Sequence, residues 1–124
     1  MDYIYIFLGG GLGSACRYFT SSIITQMTNN NFPFGTLSVN LIGSFLIGLF
    51  FQFFQNIVIP LEIRIFITIG FLGGFTTFST FSLETIHLLK YGLYKYFFFN
   101  IIFNNAICLF FTIIGMQLGR ITIK

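Results

Sequence analysis

The sequence predicts an all-α integral membrane protein built from four transmembrane helices. Composition is the first reason: of 124 residues, 56% are hydrophobic and only 7% charged, against about 25% charged in an ordinary soluble domain. Segment length is the second. Four apolar runs, at about residues 3–26, 36–59, 63–89 and 96–119, each reach the roughly 20 residues that cross a hydrocarbon core. The connections supply the third. They carry Thr28-Asn29-Asn30-Asn31-Phe32-Pro33, then Pro60, then Lys90-Tyr91-Gly92, all residue types that end helices. Every connection is short, so residues 1–124 form a single transmembrane domain with no soluble part.

The first helix starts Met1-Asp2-Tyr3, with no basic residue ahead of its apolar stretch and no small-residue cleavage pattern after it. It is therefore expected to stay as a span and not to be removed as a signal peptide. Gly9 with Gly13 places small residues one turn apart, a close-packing surface inside a membrane. Gly70 with Gly74 and Gly115 with Gly119 repeat the device. Arg17 is an intramembrane cation, which marks function by default, although its long side chain also permits snorkelling to the interface.

The second helix carries Asn40, whose amide at that depth needs a partner. It either hydrogen-bonds a neighbouring helix or offers N–H donors to an anion. The third helix contains Gly70-Phe71-Leu72-Gly73-Gly74-Phe75-Thr76-Thr77-Phe78-Ser79-Thr80-Phe81-Ser82 near its middle. Glycine costs about 1 kcal/mol relative to alanine in a helix interior. Two readings follow: the helix breaks here and exposes carbonyls and amides that hold ions, or two intact helices cross closely. Glu84 and His87, three apart, share a face and read as structural. In the fourth helix Asn100, Asn104 and Cys108 recur every four residues and form one polar stripe, which serves either interhelical bonding or a pathway.

With four spans, Arg64, Arg120 and Lys124 fall on one side and Lys90 and Lys95 on the other. Basic loops normally set orientation, and three against two leaves it undecided. An antiparallel pair would use that indifference, and a chain oriented by other features would also show it. Four such helices leave little room for a pore within one chain, so a transport route is expected at a subunit interface.

Several classes are excluded. The net charge of +3 comes from six scattered Lys and Arg, which gives no nucleic-acid footprint and no polybasic lipid switch. Cys16 and Cys108 lie in apolar segments and read as small hydrophobes, with no disulfide or metal pair. One His without a neighbouring nucleophile or second carboxylate forms neither a triad nor a metal site, so no enzyme is expected. Twenty Phe beside abundant Ile and Asn are also what an AT-rich genome encodes, and their number alone carries no function.

Three blocks taken together resemble the small bacterial fluoride-specific ion channels: Gly9-Gly10-Gly11-Leu12-Gly13-Ser14-Ala15-Cys16-Arg17-Tyr18, residues 33–45 from Pro33-Phe34-Gly35 through Asn40 to Gly43-Ser44-Phe45, and residues 70–82. The match covers three of four helices in order and spacing. The resemblance implies a third helix broken at the bilayer midplane and an antiparallel dual-topology homodimer with two fluoride pathways along its interface. It also implies location in the bacterial inner membrane, with fluoride, the lipid bilayer and a second copy as the partners. By motif position, the backbone carbonyls of Gly73 and Thr76 would hold a structural sodium ion that is not transported. Phe78 and Phe81 would line the pathway with electropositive ring edges. Asn40 and Asn104 would add amide donors, Ser79 and Thr80 hydroxyls, and Arg17 would concentrate anions at a vestibule. The fourth helix departs from the family pattern, carrying Asn100 and Asn104 where Tyr and Ser hydroxyls are common.

Two rivals remain at this stage. A small drug/proton antiporter also has four spans, but it needs a buried carboxylate in the first helix, where this chain has Arg17 and no acid after Asp2. A noncatalytic packing subunit would tolerate replacement of Phe78, Phe81 and Asn40 by residues of similar bulk.

Overall fold

A computed structural model describes residues 1–122 and is entirely helical over its regular elements. Lys124, which enters the charge comparison above, lies outside the described residues. Helix α1 spans Asp2–Thr28 and α2 spans Phe34–Asn56. The third run, Leu61–Lys90, consists of α3 (residues 61–75) and α4 (Phe78–Lys90). Helix α5 is Tyr94–Thr122.

The turn chemistry explains the boundaries. Asn29 adopts a left-handed conformation (φ 41°, ψ 50°) and returns its N–H to the Thr25 carbonyl, a role asparagine fills with little strain. Gly92, at φ 75°, closes α4. There the Gly92 N–H donates to Leu89 O and the Leu93 N–H to Leu88 O, at 3.2 and 2.9 Å, the paired bonds of a glycine-terminated helix. Pro33 and Pro60 precede α2 and α3, where a missing N–H costs nothing.

Phe34–Asn56, Leu61–Lys90 and Tyr94–Thr122 are long and apolar enough to cross a membrane. Helix α1 has the length, 27 residues or about 40 Å, but it is less apolar because its inner face is glycine and serine. That face packs on α3. A Cβ added to Gly9 would meet Phe66 O at 2.5 Å, one on Gly74 would meet Gly10 O at 2.5 Å, and one on Gly13 would collide with the Phe71 carbonyl. Gly115 and Gly48 bring α5 and α2 together in the same way, against Phe45 O and Thr112 O. The three glycine pairs are therefore contact surfaces within the chain, and neighbouring backbones occupy the space a side chain would take.

The interior is correspondingly thin. Val39 and Asn100 are the largest side chains that are fully buried, while Phe7, Phe19, Phe51, Phe98, Phe110 and many other large apolar residues are exposed. Such a surface is suited to lipid, where apolar side chains lose nothing by pointing outward.

Candidate functional site

The site begins at the join between α3 and α4. Thr76 (φ −88°, ψ 159°) and Thr77 (φ −150°, ψ 116°) are both extended, so the peptide ladder of the third run stops and starts again. The Thr77 N–H, which in a continuous helix would reach Gly73 O, instead donates to Asn40 Oδ1 at 2.9 Å. The Thr80 N–H, which would reach Thr76 O, donates to Thr77 Oγ1 at 3.1 Å. Threonine is a preferred helix N-cap for this reason: its side-chain oxygen satisfies an otherwise orphaned donor. The consequence is that Gly73 O and Thr76 O both lose their helical partners. They are oxygen ligands of the kind a hard cation accepts. No group of three His, Cys, Asp or Glu able to hold a metal occurs among the described residues.

Asn40 holds the join from α2. Besides accepting from Thr77 N–H, it donates through Nδ2 to Thr77 O at 3.2 Å and to Asn104 Oδ1 at 2.8 Å. Asn104 donates in turn to Asn100, at 3.1 Å to its backbone O and 2.8 Å to its Oδ1. Each amide has two N–H groups, and both are committed in Asn40 and in Asn104. The donors expected to face an anion are thus engaged with protein in this conformation. Next to Gly43 of α2 there is no space for a side chain, since a Cβ there would collide with the Thr76 methyl.

A cleft of about 340 Å³ opens beside the join. From the predicted site it gathers Asn40, Gly73, Thr76, Phe78, Phe81 and Asn104, and it adds Thr77, Ser44, Asn105 and Cys108. The Phe78 and Phe81 rings stand 5.2 Å apart with planes inclined by 59°. Phe81 is buried at 6% exposure, whereas Phe78 is 72% exposed on the outer surface of the chain. Asn104 and Asn105 both reach the cleft because α5 is π-helical over Phe103–Ile107. Such local widening shifts the register of side chains and recurs at functional sites.

Three expected residues stand elsewhere. Ser79 and Thr80 do not line the cleft; their hydroxyls sit 3.3 and 3.1 Å from Thr77 Oγ1, inside the cap of α4. Arg17 also lies outside it. Its Nε donates to Gly74 O at 3.0 Å, placing the guanidinium at the carbonyl end of α3, where the helix dipole favours a cation. Thr77, Ser44, Asn105 and Cys108 are cleft residues that sequence reasoning did not assign to the site. For Thr77 the signal was a threonine, a preferred N-cap, directly ahead of the amphipathic run that begins at Phe78.

A family model described as CrcB-like protein, Camphor Resistance (CrcB), matches residues 4–116. A protein of Geobacter sp. (strain M21) named "Fluoride-specific ion channel FluC" is 50% identical over 118 residues, 94% of this chain and 95% of the relative. One of the same name from Citrifermentans bemidjiense is 49% identical over 118 residues, with the same coverage. A third, from Magnetococcus marinus, is 38% identical over 122 residues, 98% of this chain and 99% of its own length. With a model spanning nearly the whole chain and relatives of matching length, this membrane protein belongs to the CrcB-like family.

Proposed function

We propose that this protein is a fluoride-selective channel that lets fluoride leave the bacterial cytoplasm passively across the inner membrane and so lowers fluoride toxicity. The observation that carries the reading is the near-full-length identity to proteins named for fluoride conduction, joined to a cleft in which paired Phe rings meet an interrupted helix. A ring edge is electropositive, so Phe78 and Phe81 offer fluoride weak, directional contacts. Weak contacts at several positions are what rapid passage requires. The amide end of α4 begins at Phe78 and adds a fixed positive end of a helix dipole beside the same rings. The channel is no enzyme and needs no energy source, because the membrane potential itself drives an anion outward.

The working unit in this reading is an antiparallel dual-topology homodimer spanned by all four helical runs of each chain, α1 included. Phe78 exposed at the join, and a cleft that one chain leaves open, support an interface there with two pathways along it. The discontinuity at Thr76 and Thr77 then lies near the bilayer midplane. A structural sodium ion would rest on Gly73 O and Thr76 O, the two carbonyls whose helical donors are diverted. One chain offers two such oxygens, and a second copy would complete the set. When bound, the ion would offset the mutual repulsion of the negative ends of the facing carbonyl dipoles, and it is not itself transported.

Purified protein in lipid vesicles is expected to release fluoride rapidly and to retain chloride. Exhaustive exchange of sodium for a large organic cation on both sides is expected to abolish the fluoride flux. Equal release of both anions would overturn selectivity, and full flux without sodium would overturn the role of the cation.

A further inference from the structure

Behind the cleft runs a chain of side-chain hydrogen bonds that begins at Thr77, the N-cap of α4, and ends at Phe81 within it. From Asn104 it continues through Asn100 Nδ2 to Thr85 Oγ1 at 2.8 Å, and Thr85 Oγ1 donates to Phe81 O at 2.6 Å. Asn100 is 1% exposed and Thr85 5% exposed, and neither lines the cleft.

Its polarity is set at the ends. Thr77 offers its backbone N–H and its backbone C=O, which fixes Asn40 with Oδ1 toward the one and Nδ2 toward the other. The remaining Asn40 N–H must donate, so Asn104 presents Oδ1. Asn104 must then donate to Asn100, and Asn100 to Thr85. Thr85, having accepted, passes its proton donor to Phe81 O. No amide in the series can turn over without leaving a buried donor facing a donor, which costs about 1–3 kcal/mol per stranded group. The two anchor points, Thr77 and Phe81, bracket the Phe78–Phe81 ring pair.

We propose that Asn100 and Thr85 are positioning residues: they lock the amide orientation of Asn104 and Asn40 and thereby fix the first turn of α4 and its two rings. In this strap α5, through Asn104 and Asn100, links Asn40, which holds Thr77 from α2, to Thr85, which holds Phe81 O within α4. This inference rests on the channel reading for its consequence, but its geometry stands apart from it.

The test uses Thr85→Val, which keeps the shape and removes the hydroxyl, Asn100→Leu, and the double variant, in fluoride efflux from vesicles. Each single change is expected to slow efflux about tenfold, the net effect of one hydrogen bond, and the double to be no slower than the worse single, because one strap can be cut only once. Thr85→Ser, restoring the hydroxyl, is expected to recover the rate. Amide exchange at Thr77, followed by NMR in micelles, is expected to quicken in Thr85→Val and to return to the wild-type rate in Thr85→Ser. Effects that add in the double variant, or unchanged Thr77 exchange in Thr85→Val, would overturn the proposal. If wild-type protein passes no fluoride, the channel reading fails while Thr77 exchange still decides the strap. Should Asn100→Leu fail to fold, Thr85→Val and Thr85→Ser decide alone.

Discussion

Replacing Asn40 by Leu is expected to reduce fluoride efflux by about a hundredfold, as two buried groups losing their partners together cost about 2–3 kcal/mol and each 1.4 kcal/mol is a factor of ten. Asn40 closes a two-bond ring with the Thr77 backbone and also supplies the donor that Asn104 accepts. Leucine has similar bulk, so the packing of α2 changes little. What is removed is the one side chain among the described residues that bonds both backbone polar groups of Thr77, in a setting where water is not at hand to replace it. Stopped-flow or electrode measurement of efflux from vesicles checks this, with size-exclusion chromatography to show that the protein remains assembled. Wild-type efflux from Asn40→Leu would mean that the Thr77 backbone finds its partners elsewhere.

Gly13→Ala is expected to be strongly destabilising for a single added methyl. The added Cβ would fall on the Phe71 carbonyl and within 3.0 Å of Phe75 N, and backbone cannot rotate out of the way as a side-chain tip can. Forcing α1 from α3 costs about 2–3 kcal/mol and loosens Arg17 from Gly74 O as well. Thermal unfolding in detergent is the measurement, with a fall of several degrees expected. Gly11→Ala is the matched control, since a Cβ there meets nothing within 4 Å; it is expected to be neutral or slightly stabilising through helix propensity. Equal melting temperatures for the two variants would show that α1 does not rely on close approach.

How far the sequence reaches can be judged on these same residues. The long apolar runs and their Asn, Pro and Gly boundaries were legible because bilayer thickness and backbone conformation each impose a local rule. The glycine pairs were legible as contact surfaces, but not their partners: Gly13 meets Phe71, 58 positions away, through tertiary packing. The Gly73-Gly74 and Thr76-Thr77 stretch allowed two readings, an interrupted helix or a crossing of intact ones, and composition could not choose because both satisfy the same residues. Extended Thr76 and Thr77 together with the close contacts of Gly74 give the molecule features of each.

The polar residues were less legible. Asn40, Asn100 and Asn104 were visible as polar positions, yet whether each donates to an anion or to a neighbour depends on hydrogen bonds spanning up to 64 positions. Every-fourth spacing placed Asn100, Asn104 and Cys108 on one stripe, and the π-helical turn at Phe103–Ile107 brings Asn105 to the same cleft. No periodicity rule anticipates that insertion. Arg17 was marked by its charge alone; its anchoring to the carbonyl end of α3 follows from how α1 lies on α3, which sequence spacing does not contain.

The central claim is that fluoride passes beside the Phe rings at the interrupted third run, and anion efflux from vesicles tests it most directly. Wild-type protein and Phe81→Ile are reconstituted at equal density, and fluoride and chloride electrodes follow release. Rapid fluoride release without chloride from the wild type, lost in Phe81→Ile while the variant still behaves as an intact assembly, is the predicted result. Equal fluoride release from the two, or none from well-folded wild type, would contradict the account and leave a membrane subunit whose cleft serves packing alone.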